Sequence, residues 1–143
     1  MRFWDSSALV PLCVREAHSP ALRALVDTDP EMIVWWASHT ECASAVQRLR
    51  REGALTPPEA AAILESLAAL MDATAAVQPG DAVLAKALRL LSVHQLRAAD
   101  ALQLAAALLW ARDAPGGKEF VSLDDRLRDA ALLEGFRVVP EVA

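Results

Sequence analysis

Four acidic residues, Asp5, Glu41, Asp100 and Asp124, each stand beside the start of a predicted helix in this 143-residue chain. Carboxylates do general acid–base work and bind hard cations. Four of them in equivalent places pose a choice between four helix caps and one metal centre. Asp100 sharpens the choice. It sits in the first turn of the stretch from Arg97 to Leu109, which is apolar on nearly every face and is therefore predicted to lie in the middle of the protein. A carboxylate there needs a cation, strong hydrogen bonds or a proton.

Each acid has a local explanation. Ser38-x-x-Glu41 and Asp100-x-x-Gln103 fit the capping box, in which the fourth residue reaches back to the first backbone amide. Ser122-x-x-Asp125 caps another helix and leaves Asp124 in a first turn, where the helix dipole favours negative charge. Asp5 with two serines after a strand reads as a turn. Taken together the acids weigh differently. An open parallel sheet gathers strand ends and helix starts along one edge, where such folds bind ligands. Four carboxylates at one edge repel unless a divalent cation lies among them, and oxygen donors of this kind suit Mg²⁺ or Mn²⁺. The chemistry implied is metal-assisted phosphodiester hydrolysis.

The elements that must position these acids follow from periodicity and punctuation. Arg2 to Trp4 reads as a strand, and Ala8 to Arg15 as a helix whose first turn holds Pro11. Ser19-Pro20 is a cap with proline at the first helical position, opening a helix to about Asp27. Met32 to Trp36 is an apolar strand. A helix from Ser38 to about Glu52 ends at Gly53. Thr56-Pro57-Pro58-Glu59 is a capping box that opens a helix to about Met71. Thr74 to Val77 is a short strand, and Asp81 to about His94 an amphipathic helix with Val83, Leu84, Ala87, Leu88 and Leu91 inward. The central helix runs to about Asp113. A strand from Glu119 to Ser122, a helix from Asp124 to Glu134 and a strand from Arg137 to Val139 complete the chain. This alternation predicts a single domain over 1–143, of α/β class, with helices on both faces of a short-stranded, mainly parallel sheet.

Composition fits that expectation. The hydrophobic share of 55% and mean hydropathy of +0.26 argue against disorder. No apolar run reaches the ~18 residues of a membrane span, and Asp5 stands where a signal peptide needs its apolar region, so a cytoplasmic protein without export signal is expected. Cys13 and Cys42 fall on apolar helix faces and are predicted to be buried thiols without a disulfide. A net charge of −5 opposes nucleic-acid binding by bulk electrostatics. Acids withdrawn into a metal site cease to repel phosphate, however. The basic residues are arginines apart from Lys86 and Lys118, and arginine grips phosphate in a forked geometry.

With these positions placed, the chain resembles a PIN-domain ribonuclease, most closely the VapC-type toxin of bacterial toxin–antitoxin pairs. The matching pieces are Asp5-Ser6-Ser7-Ala8-Leu9-Val10, Thr40-Glu41-Cys42-Ala43-Ser44-Ala45, Leu96 to Ala105 around Asp100, and Val121-Ser122-Leu123-Asp124-Asp125-Arg126-Leu127 with Ala130, Ala131 and Gly135 after it. They stand in the family's order and at its usual separations, and they span essentially the whole chain. The resemblance implies a PIN-like three-layer α/β/α fold. It implies Asp5, Glu41 and Asp100 as metal ligands, with Asp124, in preference to Asp125, completing a catalytic quartet around Mg²⁺ or Mn²⁺. Ser7 and Ser122 would support the metal site through hydrogen bonds, and Arg97, one turn before Asp100, is a candidate for touching RNA or for balancing the acids. Family members commonly have Thr in place of Ser122 and often His in place of Gln103. The substrate implied is RNA, such as a structured tRNA or rRNA, cut by a metal-activated water to leave a 5′-phosphate and a 3′-hydroxyl. The partners implied are a small VapB-type antitoxin and a second copy of the chain.

Trp4, Trp35, Trp36 and Trp110 are candidates for base stacking, although Trp35 and Trp36 point to opposite faces of a strand. His39, two residues before Glu41, is read as an exposed or capping histidine rather than a proton carrier for the site. Arg48, Arg50 and Arg51 are a solvated helix end or a phosphate grip. A haloacid-dehalogenase-type phosphatase needs a second aspartate where this chain has Ser7. The remaining rivals are a PIN-fold interaction module without activity, whose sequence sign would be a missing acid, and a metal-dependent nuclease acting on DNA.

Overall fold

The computed structural model describes residues 1–141, so the last two residues of the expected unit lie outside the described residues. Five strands, β1 (Arg2–Trp4), β2 (Met32–Trp35), β3 (Ala75–Val77), β4 (Glu119–Val121) and β5 (Arg137–Val139), form one sheet in the order β3-β2-β1-β4-β5. Every pairing is parallel, with Phe3 opposite Ile33 on one side and Phe120 on the other. The connecting helices are α1 (Ser6–Cys13), α2 (Ser19–Thr28), α3 (Ser38–Arg51), α4 (Pro57–Asp72), α5 (Asp81–Val93), α6 (Ala98–Trp110) and α7 (Asp125–Glu134).

The strands are three or four residues long, yet their alternation sorts two cores. Phe3, Ile33, Trp35 and Phe120 face one layer, where they meet Val83 and Leu90 of α5, Leu104 and Leu108 of α6, and Leu127 of α7. Trp4, Met32, Val34, Val121 and Val139 face the other, against Leu9 of α1, Leu22 of α2, Cys42 of α3 and Leu67 of α4. The result is a three-layer α/β/α architecture, as the sequence predicts. The central helix α6 buries seven of its residues, six of them from Gln103 to Leu108 in a row, which the runs of alanine permit by letting neighbours approach on several sides.

Several boundaries and faces differ from expectation. Helix α1 begins at Ser6, so Pro11 lies in its second turn, where the bond to the Ser7 carbonyl is lost; a helix of eight residues tolerates this. Ser19 is the first residue of α2 rather than its cap, and its hydroxyl instead donates to the Pro11 carbonyl at 2.6 Å and accepts from the Glu16 amide at 2.8 Å, tying the two helices together. Helix α6 stops at Trp110, short of Asp113, because Arg112 and Asp113 turn the chain at positive φ. In α5, Val83, Ala87 and Leu90 point inward, whereas Leu84, Leu88 and Leu91 are 40–60% exposed. Leucines occupy two adjoining stripes of this helix, and periodicity alone does not say which stripe meets α6. No helix among the described residues is long and apolar enough to cross a membrane. Cys13 and Cys42 are both free, and Cys42 is buried.

Candidate active site

The chain leaves β1 in one direction to build β2 and β3, and returns on the other side of β1 to build β4 and β5. Beyond the C-terminal ends of β1 and β4 there is therefore a switch point, the place where open parallel sheets form crevices. Asp5 follows β1 directly, and its backbone N–H donates to the Val121 carbonyl of β4 at 2.9 Å. Ser122 and Asp124 follow β4. Glu41 comes from the first turn of α3 and Asp100 from the first turn of α6. Asp5, Glu41, Asp100 and Asp124 all line one cleft of about 380 Å³. The four acids singled out in the sequence thus come together, although 119 positions separate the first from the last.

Asp5 is the fixed member. It is 2% exposed, and its Oδ2 accepts hydrogen bonds from the Ser122 hydroxyl at 2.7 Å and from the Ser7 hydroxyl. Each hydroxyl is itself aligned by an amide: Leu123 N–H donates to Ser7 Oγ at 2.9 Å, and Asp124 N–H to Ser122 Oγ at 3.1 Å. The protons of both serines are consequently directed at the carboxylate. Burial nonetheless pushes the Asp5 carboxyl up to about 6; the serine hydrogen bonds oppose that rise and the Glu41 charge adds to it.

Glu41 is half-buried and held from two sides. Ser6 Oγ donates to its Oε2 at 2.9 Å and lies 3.4 Å from Asp5 Oδ1, so one hydroxyl stands between the two acids. On the other side Gln103 Nε2 donates to Glu41 Oε1 at 3.2 Å and to Ser38 Oγ at 2.9 Å. Burial raises the Glu41 carboxyl above its ordinary range, with a smaller contribution from the Asp100 charge. Asp100 is raised too, by burial first and then by Asp124, while Arg97 pulls the other way. The acids form a chain of neighbours, and among the described residues none of the four makes an ion pair with a lysine, arginine or histidine.

The capping explanations divide. Asp124 does cap α7, its Oδ1 accepting from Leu127 N–H at 2.9 Å, and it lines the cleft as well. The box expected from Ser122 and Asp125 does not form: Ser122 is buried against Asp5, and exposed Asp125 stays outside the cleft. Glu41 and Asp100 cap nothing, since Ala37 and Arg97 occupy the cap positions of α3 and α6 without side-chain bonds. His39 opens onto a different hollow with Trp36, away from the acids, so it is no proton carrier for them. Trp4 and Trp35 are core; Trp36 is 56% exposed, and Lys118 lies over the Trp110 ring.

Ser6, Ser38 and Gln103 are site residues that sequence reasoning did not assign. Gln103 offered a signal, being the one amide inside an apolar helix and one turn after Asp100. Ser6 and Ser38 offered none beyond their adjacency to acids already chosen.

The donor chemistry of the cleft suits a hard divalent ion: four carboxylates, none of them ion-paired among the described residues, with the carboxyls of Asp5, Glu41 and Asp100 held above their ordinary range by burial and by neighbouring acids. Among the described residues no three His, Cys, Asp or Glu side chains are already gathered around one point, because Asp5 and Glu41 are turned toward the hydroxyls and the amide that hold them. No protein-family model matches the chain, and the search of curated proteins finds no match.

Proposed function

We propose that this protein is a Mg²⁺- or Mn²⁺-dependent endoribonuclease of the PIN-domain kind, acting as the VapC-type toxin of a toxin–antitoxin pair. The observation that carries the reading is the convergence of Asp5, Glu41, Asp100 and Asp124 on one cleft at the sheet's switch point, with no lysine, arginine or histidine paired to any of them among the described residues. The ordered sequence resemblance supplies the reaction class and the partners.

In this reading Asp5, Glu41 and Asp100 hold the ion, with Asp124 at the open side. A bound divalent ion supplies Lewis acidity toward a phosphodiester and makes water a nucleophile near neutral pH. The residues themselves supply position. Ser7 and Ser122 fix the Asp5 carboxylate and keep it ionised against its burial. Ser6 and Gln103 fix Glu41 relative to α1 and α6. Asp124 keeps one oxygen free while the other caps α7, so its placement is set by the helix start. The exposed stripe of Leu84, Leu88 and Leu91 on α5 supports the second copy that the resemblance implies. The antitoxin would cover the cleft.

Incubation of the purified protein with total cellular RNA tests the reading, with Mg²⁺ or Mn²⁺ and with chelator, beside Asp100→Asn. Discrete cleavage that needs metal and disappears in the variant is the expected result. Cleavage that survives in the variant, or an unaltered protein that neither cuts RNA nor binds Mn²⁺, would sink it, the latter leaving an interaction module. Equal cutting of a DNA of matching sequence would move the assignment to a general nuclease.

A further inference from the structure

A second cavity, of about 410 Å³, is lined by Arg97, Asp100, Asp124, Asp125 and Arg126. It shares Asp100 and Asp124 with the acid cleft, so the two hollows are one trough with those carboxylates at the join. The two parts differ in chemistry. The first holds the buried acids, an apolar wall that includes Val10 and Pro11, and Arg48. The second carries two guanidinium groups.

Those guanidinium groups are uncommitted. Arg2 and Arg89 are taken by Glu119 and Glu134, and Arg128 donates to the Ser122 and Pro140 carbonyls. Arg97 and Arg126 are exposed, and their side chains make no hydrogen bond or ion pair among the described residues, although Asp100, Asp124 and Asp125 share their cavity. A cation left free beside carboxylates remains available to an anion from outside. Arginine also offers two parallel donors to phosphate oxygens. Such a feature is what this protein needs to bind a polyanion, given its net charge of −5.

We propose that Arg97 and Arg126 form a phosphate grip in the second cavity, holding a single polynucleotide strand beside the linkage placed over the acids. The proposal rests on the nuclease reading for its substrate class, and adds to it Arg126 and the direction in which the strand leaves the cleft. Arg48 meets the strand on the acid-cleft side. The contacts are to the backbone and therefore fix the strand's position without reading its bases.

The test is fluorescence anisotropy with a labelled oligouridylate of about a dozen nucleotides, in Ca²⁺ to occupy the hard-cation site, across a series of salt concentrations. Arg97→Gln and Arg126→Gln are compared with the unaltered protein and with Arg112→Gln. Arg112 lies past the far end of α6, about 20 Å away at 1.5 Å per residue. Each cleft variant is expected to weaken binding about fivefold at moderate salt and to lower the slope of log affinity against log salt by about 0.7. Arg112→Gln should stay within about twofold of the unaltered protein. Melting curves confirm that these exposed changes leave the fold intact.

Unchanged affinity in both cleft variants, an equal loss in Arg112→Gln, or no binding by the unaltered protein would overturn the grip. The two readings fail separately. If the unaltered protein cuts RNA and Arg126→Gln cuts it with the same KM and kcat, the grip is wrong and the nuclease stands. If the arginines bind the oligomer with the predicted salt slope but no metal yields cleavage, the grip stands and the nuclease reading falls.

Discussion

At the start of α4, Thr56 and Glu59 close a reciprocal cap: Glu59 N–H donates to Thr56 Oγ1 at 3.3 Å, and Thr56 N–H to Glu59 Oε1 at 2.9 Å. At the start of α3, Ser38 and Glu41 stand at the same spacing and cap nothing. Ser38 is wholly buried and accepts from Gln103, while Glu41 reaches Ser6 of α1 and Gln103 of α6. The difference lies in what surrounds each helix start. Around Thr56 there is solvent, so the nearest partners are the helix's own amides. Around Ser38 there are two other helices, and their donors outcompete the local ones. A cap signature thus records a local capacity, and burial decides whether it is used to end a helix or to build a site.

The contrast can be broken most forcefully at the glutamates. Glu41→Gln is expected to lower metal-dependent RNA cleavage by at least about 100-fold, since groups that merely orient metal ligands already cost 10- to 100-fold. Glu59→Gln should leave cleavage unchanged. Initial rates at saturating Mn²⁺ decide between them.

The next effect concerns the buried end of the acid chain. Asp5 has its folded carboxyl raised from 3.8 to about 6, so between those values the native state keeps a proton that the unfolded chain has lost. Its contribution to stability is therefore complete below about pH 4 and is lost as pH rises through about 6. Metal-free Asp5→Asn should then be more stable than the unaltered protein at pH 7 to 8, by about 2–3 kcal/mol at 1.36 kcal/mol per pKa unit. Urea titrations in chelator, repeated at pH 4.5, measure it, and a variant no more stable at pH 8 would contradict the burial argument. Mg²⁺ should remove most of the advantage.

A smaller change sharpens the comparison from the other partner. Gln103→Leu leaves Ser38 Oγ without its donor and deletes the bond to Glu41, at an expected cost of about 1 kcal/mol. The loss is moderated because Gln103 Oε1 is itself buried without a partner. Since the Gln103 bond lowers the Glu41 carboxyl, its removal should also shift the midpoint pH for Mn²⁺ binding upward. Thr56→Ala should cost a similar ~1 kcal/mol through the lost cap, with that midpoint unmoved. Identical midpoints in the two variants would erase the distinction between the helix starts.

The strands, the seven helices and the acid quartet were legible because each rests on a local rule: alternation, punctuation by Pro and Gly, or an acid beside a helix start. Thr56 and Glu59 show such a rule working unopposed. What escaped depends on neighbours distant in sequence. The outward stripe of α5 could not be told from its inward one because both carry leucines. Pro11 was assigned to a first turn because the start of α1 at Ser6 is set by packing at the strand end. Ser6 and Ser38 acquired their roles from elements 35 and 65 positions away.

The bond between Ser122 and Asp5 also has a bearing on synthesis. Of the five strands the central one is made first, and its partner β4 is made fourth. A chain emerging from the ribosome at about 5–20 residues per second carries Asp5 and Glu41 well before it carries β4, and Asp100 shortly before it. Until then Phe3 and Trp4 lack one of their two flanking strands, and Asp5 lacks Ser122 and the Val121 carbonyl. The acid cleft therefore cannot assemble on a partly translated chain. On the proposed nuclease reading, the cleft is unable to act on its own messenger and ribosome until β4 has been delivered.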